Sequence, residues 1–192
     1  MGSLTAPPPE VFAGVTRRMI EAHDTWDSLH EFATLHWDGE SLDFGTLVVI
    51  DPAIHPNAYA DLMTKAACEA MSGEHAATLY GYALQIEAYT VAEPAPDASA
   101  EERARFQADR VGRKFHQRPD AVESVLAYSA DIHGRVWGAI KRRGHDGIDE
   151  VFYAPGERPS HGQMVDALLA IAVLTRTAVH GLPAINPFGG RS

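Results

Sequence analysis

Residues 30–51, HEFATLHWDGESLDFGTLVVID, decide the fold. Aromatic and branched residues alternate with polar ones on both sides of Asp38-Gly39, and an Asp-Gly pair between such runs is a strong hairpin signal, because glycine supplies the positive φ that a tight turn needs. With that pair at the tip, Trp37 faces Glu40, Leu35 faces Leu42 and Ala33 faces Phe44. Ala33, Leu35, Trp37, Leu42 and Phe44 then form an oily face, and His30, Phe32, Thr34, His36, Ser41 and Asp43 a largely wet one. The returning strand continues into TLVVID, which is apolar on both sides and is expected to be interior.

Working outward, Val11, Val15, Met19 and Ala22 recur at helical spacing after a proline-rich start, and so predict a first amphipathic helix. Tyr59, Leu62, Met63, Ala66, Ala67 and Ala70 form a second stripe, with Asn57 as its candidate N-cap and Cys68 beside it as core or near-core packing. LYGYALQIEAYTV (79–91) reads as a long strand in which Glu87 is the one acid expected to be partly buried, although a solvent-side position fits the alternation of Leu84, Ile86 and Ala88 equally well. Ser99 with Glu102 makes a capping box that opens a polar helix to about Lys114. Residues 118–144 read as a hairpin turning around residues 131–134, and DEVFYAP as a short strand. Ser160 with Gln163 opens a last helix that is apolar nearly all round and ends before Gly181 and Pro183. The order α-β-β-α-β-α-β-β-β-α predicts an α+β fold: a largely antiparallel sheet of about five or six strands against three or four helices, in two layers. Residues 1–9 are expected to be disordered, 10–182 to form one domain, and 183–192 to be a flexible tail.

The chain has 192 residues, 45% of them hydrophobic, enough for one core and not for two. Cys68 is the single cysteine, so no internal disulfide can form and a reducing compartment is implied. The longest apolar run, 168–174, is far short of the roughly 20 residues that cross a bilayer. The start lacks the order of a signal peptide, so a cytoplasmic protein is expected, without membrane partners. Charge divides unevenly. The net charge of −10 is −12 over residues 1–100 and +2 over the remainder, and the window 103–143 alone carries +6.

Three constellations compete for chemistry. His30, His36 and Asp43 share a face of the first hairpin, but residues six apart on a strand lie about 20 Å apart at about 3.3 Å each, too far to share an ion bound at about 2 Å. No other pair of histidines has a tandem ligand spacing on a helix, so neither a metal nor another cofactor is expected. Asp120 followed by Asp131 and His133 resembles the acid spacing of PD-(D/E)xK nucleases, with His133 in place of the lysine; the competing reading makes Asp131 a turn former before Gly134. Arg113, Lys114, Phe115, His116, Arg118, Lys141, Arg142 and Arg143 are candidate binding residues, of the types that dominate interfaces or contact phosphates. Against nucleic acid stand the acids interleaved with them and the chain's own negative charge. No nucleophile elbow, phosphate loop or dinucleotide fingerprint is present.

The blocks HEFATLHWDGESLDFGTL, GYALQIEAY, FHQRPDAVESVLAYSADIHGRVWGAIKRR and GQMVDALLAIA together resemble uncharacterised small proteins of actinobacteria and their phages. That resemblance implies an accessory role, such as host interaction or counter-defence, and carries no catalytic residue with it. The expectation is a non-enzymatic protein that binds a protein partner or itself, a homodimer included. The alternatives are a divalent-metal-dependent hydrolase or nuclease using Asp120, Asp131 and His133, and nucleic-acid binding through residues 103–143.

Overall fold

A computed structural model describes residues 5–23, 25–54, 56–112, 114–157 and 162–188. In chain order the elements are α1 (Pro9–Glu21), β1 (His30–Trp37), β2 (Leu42–Ile50), α2 (Pro56–Ser72), β3 (Leu79–Thr90), α3 (Ala100–Val111), β4 (Val122–Asp131), β5 (Val136–Arg142), β6 (Asp149–Tyr153) and α4 (Gln163–Ala178). The strands form one antiparallel sheet in the order β2-β1-β3-β4-β5-β6. Sheet and the α2/α4 pair make the two layers of an α+β fold, and α1 covers part of the opposite face. No described helix is long and apolar enough to cross a membrane.

β3 and β4 lie at the centre because they are apolar on both sides. Tyr82, Leu84, Tyr128 and Ala130 face α2 and α4, where Tyr59, Met63, Leu168, Leu169 and Ala172 complete one core. Tyr80, Ala83, Val125 and Ala127 face α1, where Phe12, Val15, Met19 and Ile20 complete the other with Leu35 and Trp137. Phe12 stacks on Trp137 at 4.6 Å between centroids. Two buried hydroxyl pairs pin the layers: Thr16 with Ser129 at 2.6 Å under α1, and Tyr82 with Thr175 at 2.8 Å under α4. A buried hydroxyl costs free energy unless it is paired, so each pair also fixes how its helix sits.

The hairpin tip differs from its expected form. Asp38 donates its N–H to the Ser41 carbonyl, so Gly39-Glu40, with Gly39 at φ 107°, forms the turn. The Asp38 carboxylate accepts from the N–H groups of Glu40 and Ser41 at 2.8 Å each, which moves Asp38 out of the tip and into its base. The register slides by two, to Trp37 opposite Leu42 and Leu35 opposite Phe44, and the expected faces survive near the tip. A bulge at Gly45-Thr46 then changes the phase, and Ala33 meets Leu47. A Cβ at Gly45 would lie 2.5 Å from the His36 ring and the Thr34 hydroxyl, so the bulge needs glycine.

Two further expectations are corrected. The face holding His30, Phe32, Thr34 and His36 is not wet: α2 packs over it, and the first three are buried. β2 is not interior; it is an edge strand with Leu47 and Val49 each 52% exposed and Phe44 45% exposed. Elsewhere the Ser99/Glu102 capping box forms in both directions. Cys68 is exposed rather than packed. Asn57 falls inside the first turn of a helix that begins at Pro56. Ser160 lies outside the described residues, and α4 follows Gly162 at φ 93°. The proline-rich start is tied down, because the Thr5 carbonyl accepts from the Trp37 indole and Pro7 is buried. Ile185, in the expected tail, packs against the α2/α4 core.

Phe12→Ala removes a fully buried ring that touches Trp137 and Tyr80. It should lower stability by about 3–5 kcal/mol in urea unfolding, the usual cost of emptying an aromatic site.

Candidate functional site

Asp120, Asp131 and His133 do not form one site. Asp120 precedes β4 and Asp131 ends it, which separates them by roughly 30 Å at about 3.3 Å per residue. Asp131 is fully buried as a turn former. One carboxylate oxygen accepts from the backbone N–H groups of His133 (3.0 Å) and Arg135 (2.9 Å), and the other from the Arg135 guanidinium at 2.7 Å. Burial pushes this carboxyl up, against the pull of Arg135. Asp120 is exposed and chelated by Arg118 through two hydrogen bonds of 2.8 Å. His133 lies 3.2 Å from Arg176 through Nδ1, and because a guanidinium only donates, that nitrogen is the acceptor. Burial holds its imidazole below the usual value.

His30 and His36 are likewise held apart. His30 Nδ1 meets the Tyr59 hydroxyl at 2.5 Å, while His36 bridges the Thr34 and Thr78 hydroxyls at 3.1 and 3.0 Å. Asp43 accepts from Ser41 at 2.9 Å on the exposed side. Burial lowers both imidazoles. With His30, His36 and His133 all shifted down, the unfolded chain binds more protons once the pH falls below about 6.5. Stability should therefore fall between pH 7.5 and 5.5. Urea midpoints at the two values should show the drop, and it should be smaller in His30→Gln.

The basic candidates do gather, at the end of the sheet where β3 and β5 finish and β4 begins. Phe115 packs on Phe106 at 5.2 Å and His116 faces Tyr89 at 6.3 Å. Arg142 lies opposite Ser124, and the Arg143 N–H donates to the Glu123 carbonyl. Three of the arginines are already ion-paired. Arg118 pairs with Asp120 and Asp109, Arg142 with Asp149, and Arg143 with Glu123. Lys141 Nζ donates to the His23 carbonyl at 3.4 Å. No ion pair is described for Lys114, and Arg113 lies outside the described residues. An open groove of about 750 Å³ beside α3 is lined by Pro94, Arg105, Phe106, Arg118 and Asp120, and of its two cations Arg118 is ion-paired with Asp120 and Asp109. A phosphate at this end would have to displace a carboxylate from Arg118, Arg142 or Arg143, which weakens the case for nucleic acid.

At the same end the structure assembles a group that local spacing could not show. Glu87 is partly buried, on the α1 side of the sheet. Its carboxylate accepts from the N–H groups of Asp27 (2.9 Å) and Ser28 (3.0 Å) and from the Ser28 hydroxyl (3.0 Å), and so ties the α1–β1 loop to β3. Burial alone would raise this carboxyl, but these donors and His23 outweigh it and hold it below the usual value. Carboxylate oxygens of Asp27, Glu87 and Glu123 lie within 4.8 Å of one another. Arg143 stands over the Trp26 ring at 5.2 Å. An acid inside the apolar run ALQIEAYTV was the sole sequence signal, since its companions come from distant segments.

The second candidate surface is β2. Leu42, Phe44, Leu47 and Val49 share the side of the sheet on which α1 sits, but α1 lies over β4 and β5 and leaves the last three exposed. Among the described residues no strand pairs with the outer edge of β2. No family model, curated protein or solved structure matches the chain.

Glu87→Gln keeps the shape but weakens the loop's anchor, and should cost about 1–3 kcal/mol in urea unfolding at pH 7. Because the folded carboxyl titrates below its ordinary value of 4.5, the stabilisation is present above that value and is lost as pH falls through the lower folded one. The difference between the wild type and the variant should shrink below about pH 4.

Proposed function

We propose that the protein acts by binding rather than by catalysis, through strand addition at β2, and that the strand added there is β2 of a second copy. The observation that carries this reading is a nine-residue edge strand with an open backbone and an exposed row of Phe44, Leu47 and Val49. Such an edge is a template for another strand, with main-chain hydrogen bonds supplying affinity and the apolar row supplying register.

The opposite edge of the same sheet sharpens the argument. β6 has five residues, carries Asp149 and Glu150, and is followed at once by Ala154-Pro155. Short length, charge and a nearby proline are what keep edges from pairing. Of these β2 shares only the proline, Pro52, two residues past its end; it is nine residues long, and its segment FGTLVVI (44–50) holds no charge. Antiparallel pairing about a two-fold axis therefore sets no like charges opposite each other within that segment, although the chain as a whole is acidic. The axis lies normal to the sheet, so the two apolar rows meet on the same face and cover each other.

The proposed setting is cytoplasmic, on the ground of the single cysteine. The accessory role implied by the resemblance to small actinobacterial and phage proteins suits a module whose business is its surface. Size-exclusion chromatography with light scattering tests the reading. The wild type should run at twice the chain mass at high micromolar concentration, and Leu47→Lys/Val49→Lys should run as a folded monomer. A wild type that stays monomeric overturns self-pairing, and a dimer unchanged by the double substitution places the interface elsewhere.

A further inference from the structure

We propose that His133 and Arg176 form a pH-released latch, which holds the strap after α4, residues 181–188, against the β4–β5 turn at neutral pH and lets it go in acid. Nothing in this inference depends on strand addition at β2.

The strap leaves α4 at Gly181, whose φ of 61° sets the turn out of the helix. Leu182 then packs against the α1 core and Ile185 against the α2/α4 core, with Ile185 Cδ1 3.1 Å from where a Cβ on Gly134 would stand. Arg176 joins strap and turn. Its Nε donates to the Pro183 carbonyl at 2.7 Å, and its Nη1 donates to His133 Nδ1 at 3.2 Å and to the Ile132 carbonyl at 3.5 Å. One guanidinium thus grips the β4–β5 turn on one side and the strap on the other. Pro183, Ala184, Asn186 and Phe188 are exposed, so the strap buries little of its own surface and opens at low cost once that grip is lost.

The bond between imidazole and guanidinium exists in one protonation state. A guanidinium offers no lone pair, so Nδ1 must accept, and the ring is the neutral tautomer with its proton on Nε2. A proton taken up at Nδ1 turns that acceptor into a donor and sets two cations against each other. Around the ring stand Tyr80 on β3, Asp131 and Arg135 on the turn, and Arg176 and His180 from α4 and its exit. Burial holds the ring neutral; Asp131 pulls the other way, and Arg135, Arg176 and His180 side with burial. Tyr80 carries no charge, because burial raises its hydroxyl. Arg135 is fixed on the buried Asp131 carboxylate, so the repulsion is relieved by moving Arg176 outward, and the strap goes with it. His180 is not a second trigger: its Nε2 donates to the Leu79 carbonyl at 2.7 Å, and that bond survives protonation of the other nitrogen.

The experiment is ¹⁵N relaxation of the full chain at pH 7.5 and 4.5, with amide exchange in β3 and β4 reporting at each pH that the sheet is folded. Backbone order parameters at Ile185, Asn186 and Phe188 should drop from about 0.85 to below about 0.6 on acidification, while the sheet amides stay protected. His133→Asn puts an amide oxygen near the place of Nδ1, takes up no proton and should keep the strap ordered at both pH values. Arg176→Gln removes the bridge and should free the strap already at pH 7.5, so this arm stands even where acid weakens the sheet. Equal order at the two pH values in the wild type overturns the proposal. So does release in His133→Asn at pH 4.5, which would assign the trigger to His180, and so does a strap that stays ordered in Arg176→Gln.

Discussion

A helix about 10 Å across covers about two strands of a sheet whose strands repeat every 4.8 Å or so, and this mismatch governs the whole molecule. Six strands need helices on both faces because β3 and β4 are apolar on both sides. The α2/α4 pair supplies one face. On the other there is only α1, thirteen residues long, and it sits where burial gains most, over β4 and β5 against Trp137. What α1 does not reach is left to solvent, and that remainder is β2 with its exposed apolar row.

Local chemistry made much of the architecture legible. The element order, the long strand LYGYALQIEAYTV and the Ser99/Glu102 cap follow from alternation, helical spacing and side-chain hydrogen bonding to nearby backbone, all of which act over a few residues. Asp131 behaves as its neighbours Ile132, His133 and Gly134 suggest, since a carboxylate two residues before an exposed N–H caps a turn whatever the fold around it. What could not be read is coverage. TLVVI is apolar on both sides, and an apolar strand is equally compatible with an interior position and with an open edge; the reach of α1 decides between them. The hairpin face with two histidines looked wet for the converse reason, because nothing local announces that Tyr59 will donate or accept a bond at His30.

The charged end of the sheet shows the same limit. Arginine-rich segments look like a free cationic surface until strand pairing sets Glu123 beside Arg143 and Asp149 beside Arg142, so that with Arg118 on Asp120 three of the candidate arginines are ion-paired. The acidic group around Glu87 was illegible for a stronger reason. Its members sit on a loop and two strands, and only strand pairing brings Glu123 into range of Glu87, two residues from the register that sets Val125 against it.

The single inserted residue at Gly45-Thr46 has a reach beyond its size. Upstream of it, even-numbered residues of β2 look toward α1; downstream, odd-numbered ones do. Strand alternation is thus inverted at one hinge, and the outward row is composed of Phe44, Leu47 and Val49 instead of a regular every-second pattern. A lineage that gained or lost one amino acid at this spot would swap Leu47 and Val49 for Val48 and Ile50 on the outer surface while its hydropathy profile stayed the same. The face exposed at this edge is therefore encoded in spacing, and two sequences of equal composition could turn different side chains outward there.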